Sequence, residues 1–171
     1  MIEFQLQSCF LRPWKTGDER SLTMNANNRK IWINVRDHFP HPYTLIDAER
    51  WIFHASTNLT DTVFAIIVDG EAVGSIGVIP KEDVYRKSME IGYWVGEKYW
   101  GRGIATEAVG VITKYAFQRF DIIRLYADIF AANSASARVL EKNKYVREAL
   151  LQSAVYKDGK VGDIIIYSRL K

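Results

Sequence analysis

The chain has 171 residues, 48% hydrophobic and 25% charged, with a formal net charge of +3. That length and balance suit one domain with a substantial core, residues 1–171, and exclude a disordered chain. The weak charge and the lack of a Lys/Arg block argue against a nucleic-acid partner. No apolar run approaches the ~18–20 residues that span a bilayer, which argues against a membrane one.

The alternation of Phe4, Leu6, Ser8 and Phe10 with Gln5, Gln7, Cys9 and Leu11 predicts a first strand over 4–12, and not a signal peptide. Pro13 ends it, because proline cannot donate to a sheet ladder. Cys9, the single cysteine, excludes an intramolecular disulfide framework and points to a reducing, cytoplasmic compartment. Asp18 is placed to cap a helix over 19–25. Residues 27–43 are interrupted by Asn27-Asn28, Pro40 and Pro42, with a helical turn at 31–35. Thr44 or Asp47 then caps a helix carrying Ala48, Trp51, Ile52 and Ala55 on one face.

A β-rich run over 61–68 meets Asp69-Gly70, a strong two-residue hairpin turn, and its partner is Glu71–Pro80. Gly74 and Gly77 inside that partner predict a bulge or a close neighbouring backbone. A charged connection leads to a strand at Ser88–Val95. Ile104, Ala108, Ile112, Tyr115 and Ala116 recur at helical spacing within 104–120. A strand at Arg124–Phe130, a helix over 134–143, and strands over 145–156 and 161–168 joined by Lys157-Asp158-Gly159-Lys160 complete the order. Strand-helix-strand segments require parallel pairing and the hairpins require antiparallel pairing. An α/β domain with a mixed central sheet and helices on both faces follows.

Between the strand ending at Val95 and the helix at Ile104 stand Gly101 and Gly103. Glycine reaches backbone angles closed to other residues, and the first turn of a helix leaves N–H groups unpaired at the positive end of its dipole. Such a loop is either a tight turn or a phosphate cradle. It lacks the Gly-x-x-x-x-Gly-Lys-Ser/Thr of a Walker loop. Thr106 stands where a dinucleotide fingerprint has its third glycine.

The string Gly92-Tyr93-Trp94 followed by Tyr99-Trp100-Gly101-Arg102-Gly103-Ile104-Ala105-Thr106-Glu107-Ala108 resembles the acetyl-CoA loop of the GNAT acetyltransferase superfamily, RimJ/RimL-like branch. A second string, Asn133-Ser134-Ala135-Ser136-Ala137-Arg138-Val139-Leu140-Glu141-Lys142, is similar to the family's Asn-x-x-Ser…Glu-Lys signature. The resemblance covers nearly the whole chain. It implies the GNAT fold, with a mostly antiparallel sheet of about seven strands, and an N-acetyltransferase that moves an acetyl group from acetyl-CoA to a primary amine. Trp94, Val95, Trp100, Gly101, Arg102, Gly103, Ile104, Ala105, Thr106, Asn133, Ser136, Arg138 and Lys142 are the cofactor-binding positions that it implies. It gives Val95 N–H as the oxyanion donor.

Glu90, on the strand leading to the loop, is the candidate base, against a reading as a paired sheet carboxylate. Ser136 is the candidate acid for the departing thiolate, because Leu140 stands where many relatives have a tyrosine; Tyr126 and Tyr93 are in reserve. His38, His41 and His54 are alternative bases, and their spacing predicts no metal site. Asn143-Lys144-Tyr145 replaces the usual x-Gly-Phe, so Asn143 or Lys144 must take the left-handed turn. The branch suggests a protein N-terminal α-amine, such as that of a ribosomal protein, as acceptor. A polyamine or aminoglycoside and a non-catalytic acyl-CoA-binding module are the alternatives, and the chain acts as a monomer or a homodimer.

Overall fold

The computed structural model describes residues 2–57 and 61–171. In chain order the elements are β1 (Phe4–Gln5), β2 (Phe10–Arg12), α1 (Glu19–Ala26), α2 (Arg29–Trp32), α3 (Leu45–Thr57), β3 (Val63–Val68), β4 (Glu71–Pro80), β5 (Ser88–Val95), α4 (Ile104–Arg119), β6 (Arg124–Phe130), α5 (Ser134–Lys142), β7 (Val146–Lys157) and β8 (Lys160–Leu170). The strands hydrogen-bond in the order β1-β2-β3-β4-β5-β6-β8-β7. β5 and β6 are parallel; the β1–β2, β2–β3, β3–β4, β6–β8 and β7–β8 pairs are antiparallel. Two compact units make up the chain, Met1–Gly77 with Tyr93–Ala108, and Val78–Gly92 with Val109–Lys171.

In the first unit, the expected single strand over 4–12 is instead a hairpin, so the sheet has eight strands among the described residues where about seven were expected. Leu6 N–H donates to the Cys9 carbonyl at 3.0 Å, and the Ser8 N–H is taken by the Glu107 carboxylate at 3.0 Å. A long-range acceptor for a backbone donor outweighs continued alternation here, and period-2 patterning alone does not reveal it. Burial, then the Glu107 charge, pushes the Cys9 thiol up to about 11, so it is held neutral.

Asp18 does stand at the N-cap of α1, but its side chain makes no cap bond. Its carboxylate instead takes both Arg12 nitrogens at 2.7 Å and the Lys15 N–H at 3.1 Å. A charge-assisted bidentate pair is stronger than a neutral cap, and it wins the carboxylate. At α3 both candidate caps act together. Thr44 N–H donates to Asp47 Oδ2 at 2.8 Å and Asp47 N–H returns to Thr44 Oγ1 at 3.3 Å, a reciprocal box. The α1 and α3 stripes (Leu22, Ala26, Ala48, Ile52, Ala55) pack on Trp14, Tyr43, Ala65, Ile67 and Ala72. Asp69 and Gly70 both have positive φ, 51° and 84°, the mirror-image turn whose twist suits a hairpin.

In the second unit β6 pairs with β8 along its whole length, from Arg124↔Leu170 to Phe130↔Ile164. Leu125 and Leu140 are fully buried, and Tyr145 keeps the aromatic core role: its hydroxyl meets Thr113 Oγ1 at 2.8 Å. Burial pushes that phenol up to about 12. The helix glycine Gly110 is explained by Asn143, whose side-chain oxygen would lie 2.8 Å from a Cβ there.

The left-handed turn after α5 falls on Lys144, at φ 63°, while Asn143 stays at φ −93° and bonds Val139 O through its amide at 2.9 Å. A side chain at such a φ costs ~1–2 kcal/mol, part of which glycine returns to the flexibility of the unfolded chain. Lys144→Gly is therefore expected to stabilise the chain by ~0.5–1 kcal/mol. Thermal unfolding checks it, as a Tm higher by ~1–4 °C.

Candidate functional site

The first unit carries the glycine loop. Gly101 and Gly103 have φ of 75° and 81°, and no atom lies within 4 Å of where either Cβ would be. Both glycines are thus required by backbone angle, and the space above them is open. α4 begins at Ile104, itself 2% exposed, so the first turn is anchored in the core while its N–H groups sit beside the glycines. Ala105 and Thr106, the next two residues, are half-buried.

Trp100 ties the loop to the strand before it: its indole N–H donates to the Val95 carbonyl at 2.6 Å. Tyr99, 6% exposed, has the Arg102 guanidinium 5.3 Å and the Lys98 ammonium 5.6 Å from its ring centre. Gly74 on β4 explains how Trp94 and Val95 are held, because a Cβ there would overlap the Trp94 carbonyl oxygen and lie 3.0 Å from Val95 Cα. Gly77 lets the β3 side approach instead, since a Cβ there would lie 2.8 Å from the Thr62 carbonyl oxygen. A close neighbouring backbone is observed at both glycines, and at Gly74 a bulge as well, since the β3–β4 register shifts between Ile66↔Gly74 and Ile67↔Ala72.

The second unit carries Glu90, Asn133, Ser136, Arg138 and Lys142. Asn133 is the N-cap of α5, its side-chain oxygen accepting the Ser136 N–H at 3.1 Å. Ser136 is half-buried in the first turn; Arg138 is exposed and reaches Ser134 Oγ at 3.3 Å, and Lys142 is exposed in the last turn. Glu90 is 7% exposed, and its Oε2 accepts from Lys81 Nζ at 2.7 Å. Lys81 also lies 5.5 Å from the Tyr126 ring centre. Burial works against the Lys81 ammonium, but the hydrogen bonds to Glu90 and Tyr126 outweigh it and raise its pKa. The β5–β6 register runs from Ser88↔Arg124 to Glu90↔Tyr126, so these two residues form its last rung.

Residues 9–146 match the acetyltransferase (GNAT) domain family. The chain belongs to the GNAT family. It is similar to the putative ribosomal N-acetyltransferase YdaF of Bacillus subtilis (strain 168), 31% identical over 62% of this chain and 57% of that protein. It is also similar to the probable N-acetyltransferase YjcK of the same organism, 32% identical over 90% of this chain and 88% of that one. The first curated relatives are matched over only 54–61% of their own length. Among solved structures, RimL, a ribosomal L7/L12 alpha-N-protein acetyltransferase in complex with coenzyme A, superposes with a TM-score of 0.79 at 22% identity, over 96% of this chain and 95% of that chain. The fold is the GNAT fold, a mixed, mostly antiparallel sheet.

Several aromatic side chains of this GNAT chain pack within its first unit. Trp14 is 2% exposed and, with Trp51 packed against it, belongs to the first unit's core. His41 stacks on Trp32 at 5.6 Å, and His54 lies beside Trp51 at 6.2 Å. Among the described residues no group of three or more His, Cys, Asp or Glu is placed to hold a metal ion, and no helix is long and apolar enough to cross a membrane. An open groove of about 430 Å³ lies beside the loop, lined by Met24, Asn25, Asn28, Glu71, Glu97, Lys98 and Tyr99. Its Glu97 is already engaged by Lys30 and Asn28, which hold its carboxyl below the usual range.

Three contributors escaped the sequence reading: Lys81, Glu107, and Asn25, whose amide packs on Gly96. Lys81 and Glu107 carry ordinary surface charges, and nothing local marks their partners, 9 and 99 residues away.

Proposed function

We propose that the chain transfers an acetyl group from acetyl-CoA to a primary amine, with the N-terminal α-amine of a protein as acceptor. The observation that carries this reading is the loop at the start of α4. Two glycines at positive φ have open space above them beside the N-terminus of a 16-residue helix, whose dipole and backbone N–H groups suit a pyrophosphate. The donor set fits that group: backbone N–H groups and the helix dipole, with Arg102 at the rim. Asn133, Arg138 and Lys142 serve the rest of the carrier, as the family motif implies.

Bound acetyl-CoA supplies the thioester carbonyl that the amine attacks. The acceptor's ammonium first loses a proton, through a water, to Glu90, and the freed lone pair forms the N–C bond. Val95 N–H donates to the oxyanion as charge develops there. The C–S bond then breaks and Ser136 gives the departing sulfur its proton, while the nitrogen's second proton passes through solvent back to Ser136. An α-amine, with a pKa of ~7.7–8.0 against ~10.4 for lysine, is far more often neutral at pH 7 and suits a site with one modest base. The name of RimL, a ribosomal L7/L12 alpha-N-protein acetyltransferase, supports the same acceptor class, and that of YdaF, a putative ribosomal N-acetyltransferase, supports a ribosomal one. The engagement of Glu97 argues against a polyamine groove at that position, because its carboxylate already has a cation.

A thiol-release assay with an amine panel tests this. The panel contains peptides with free Ser or Ala N-termini, the same peptides N-blocked but with a lysine, spermidine and an aminoglycoside. Turnover on the free N-termini and its loss on blocking are expected. Preference for spermidine or the aminoglycoside would replace the acceptor. Cofactor binding without turnover on any amine would make the chain an acyl-CoA-binding module.

A further inference from the structure

The acetyl-transfer reading assigns the proton to Glu90 but leaves open what presents that carboxylate. Glu90 is 7% exposed on the last rung of the β5–β6 register, opposite Tyr126. A carboxylate so buried is costly without a partner, and one left to choose among rotamers is a poor receiver of a proton. Lys81, one residue past the end of β4, supplies the partner: Nζ meets Oε2 at 2.7 Å, with the lysine side chain 29% and the glutamate side chain 9% exposed. Its own position is set from two sides. Its N–H donates to the Ser88 carbonyl at 3.2 Å, and its ammonium rests 5.5 Å from the Tyr126 ring centre. Tyr126 has a second cation, Arg124, at 5.5 Å, and Arg124 is clamped by both Glu148 oxygens at 2.5 and 2.6 Å. The lysine is therefore held by backbone, ring and carboxylate together, and a surface pair of the ordinary kind has none of that support.

We propose that Lys81 is the positioning residue of Glu90 in the transfer reaction. Resting on the acetyl-transfer reading, it deepens that site without adding another. Lys81 holds the carboxylate in one orientation at the end of the rung. It neither gains nor loses a proton itself: the proton that leaves the acceptor ammonium goes by water to Glu90 and from there to solvent after each turnover. The lysine acts through Glu90 and touches no substrate.

The test compares the native chain with Glu90→Gln, Lys81→Met, Lys81→Arg and the double variant, on whichever amine of the panel turns over. Lys81→Met is expected to lower kcat by about 10- to 100-fold with KM for acetyl-CoA changed less than about threefold, and Lys81→Arg to restore most of it. In the double variant the losses should not multiply, because Lys81 has nothing left to position once Glu90 is gone. A Lys81→Met chain that loses Tm but keeps kcat, or losses that multiply, would overturn the inference and leave a structural ion pair. If Glu90→Gln keeps native kcat, Glu90 is no base and the inference falls with it, while acetyl transfer stands. If the native chain acetylates no amine, the acetyl-transfer reading is what has failed, and Lys81 positions nothing. Should Lys81→Met not fold, Lys81→Gln, which keeps a donor without the charge, answers the same question.

Discussion

Gly103→Trp is expected to weaken acetyl-CoA binding by about 100-fold or more, some 2.7 kcal/mol, in a chain that still folds. The argument has two separable parts. At φ 81° any side chain costs ~1–2 kcal/mol of backbone strain, which alone lowers Tm by roughly 2–8 °C in a chain of this size. Above the glycine there is open space, so the indole meets no protein atom within 4 Å at its Cβ and fills the volume that the pyrophosphate would use. Gly103→Ala separates the parts, because it carries the strain without the bulk. Calorimetric titration with acetyl-CoA and CoA should find alanine much closer to the native affinity than tryptophan. Equal losses would mean that backbone angle, and not room, is what the ligand reads. Unchanged affinity in both would remove the cradle.

Arg12→Met should be the most destabilising of the single changes considered, by about 3–5 kcal/mol, because it strands a buried carboxylate. Asp18 is 5% exposed and Arg12 9%, and the pair is bidentate with both distances 2.7 Å. Without the guanidinium, the Asp18 carboxylate keeps the Lys15 N–H at 3.1 Å but loses its charged partner, and a buried carboxylate without one is costly. Differential scanning calorimetry is expected to show Tm lower by ~6–20 °C. Arg12→Met with Asp18→Leu should recover part of the loss, since replacing both partners removes the stranded charge. A single variant within about 1 kcal/mol of native would show that the pair contributes no more than a surface bridge does.

Much of this was legible because it is local. Asp69-Gly70 needs both residues at positive φ, and a hairpin between two β-rich runs is the geometry that allows it. Ser88–Val95 was bounded correctly between Lys87 and Gly96, and Arg124–Phe130 short of Asn133, although Glu90 and Asp128 interrupt their apolar residues. Gly101 and Gly103 could be read as glycines of necessity before any coordinates, and the motif around them carried the family. Asp18 stands at the cap position as expected, but its side chain serves Arg12 instead, for an equally physical reason. Cap propensity describes what an aspartate does with neighbouring N–H groups, and it knows nothing of an arginine six residues earlier folded back onto it. The first strand failed likewise, since alternation persists through Ser8 while its N–H goes to Glu107.

By itself, the sequence determined the order of elements, the hairpin turns, the glycine loop before α4 and, through two motifs, the GNAT family. Each of these depends on backbone angles and side-chain periods that neighbouring residues set. Only the tertiary structure decided which residue after α5 bears the left-handed turn, why Gly74 has no side chain, and that Glu90 is paired. Lys144, the Trp94 carbonyl and Lys81 are the deciding atoms, and they decide by contact. Contact between residues that the fold brings together leaves no period in the chain to read. The charge on Lys81 was visible from the start, and the carboxylate that it holds was not.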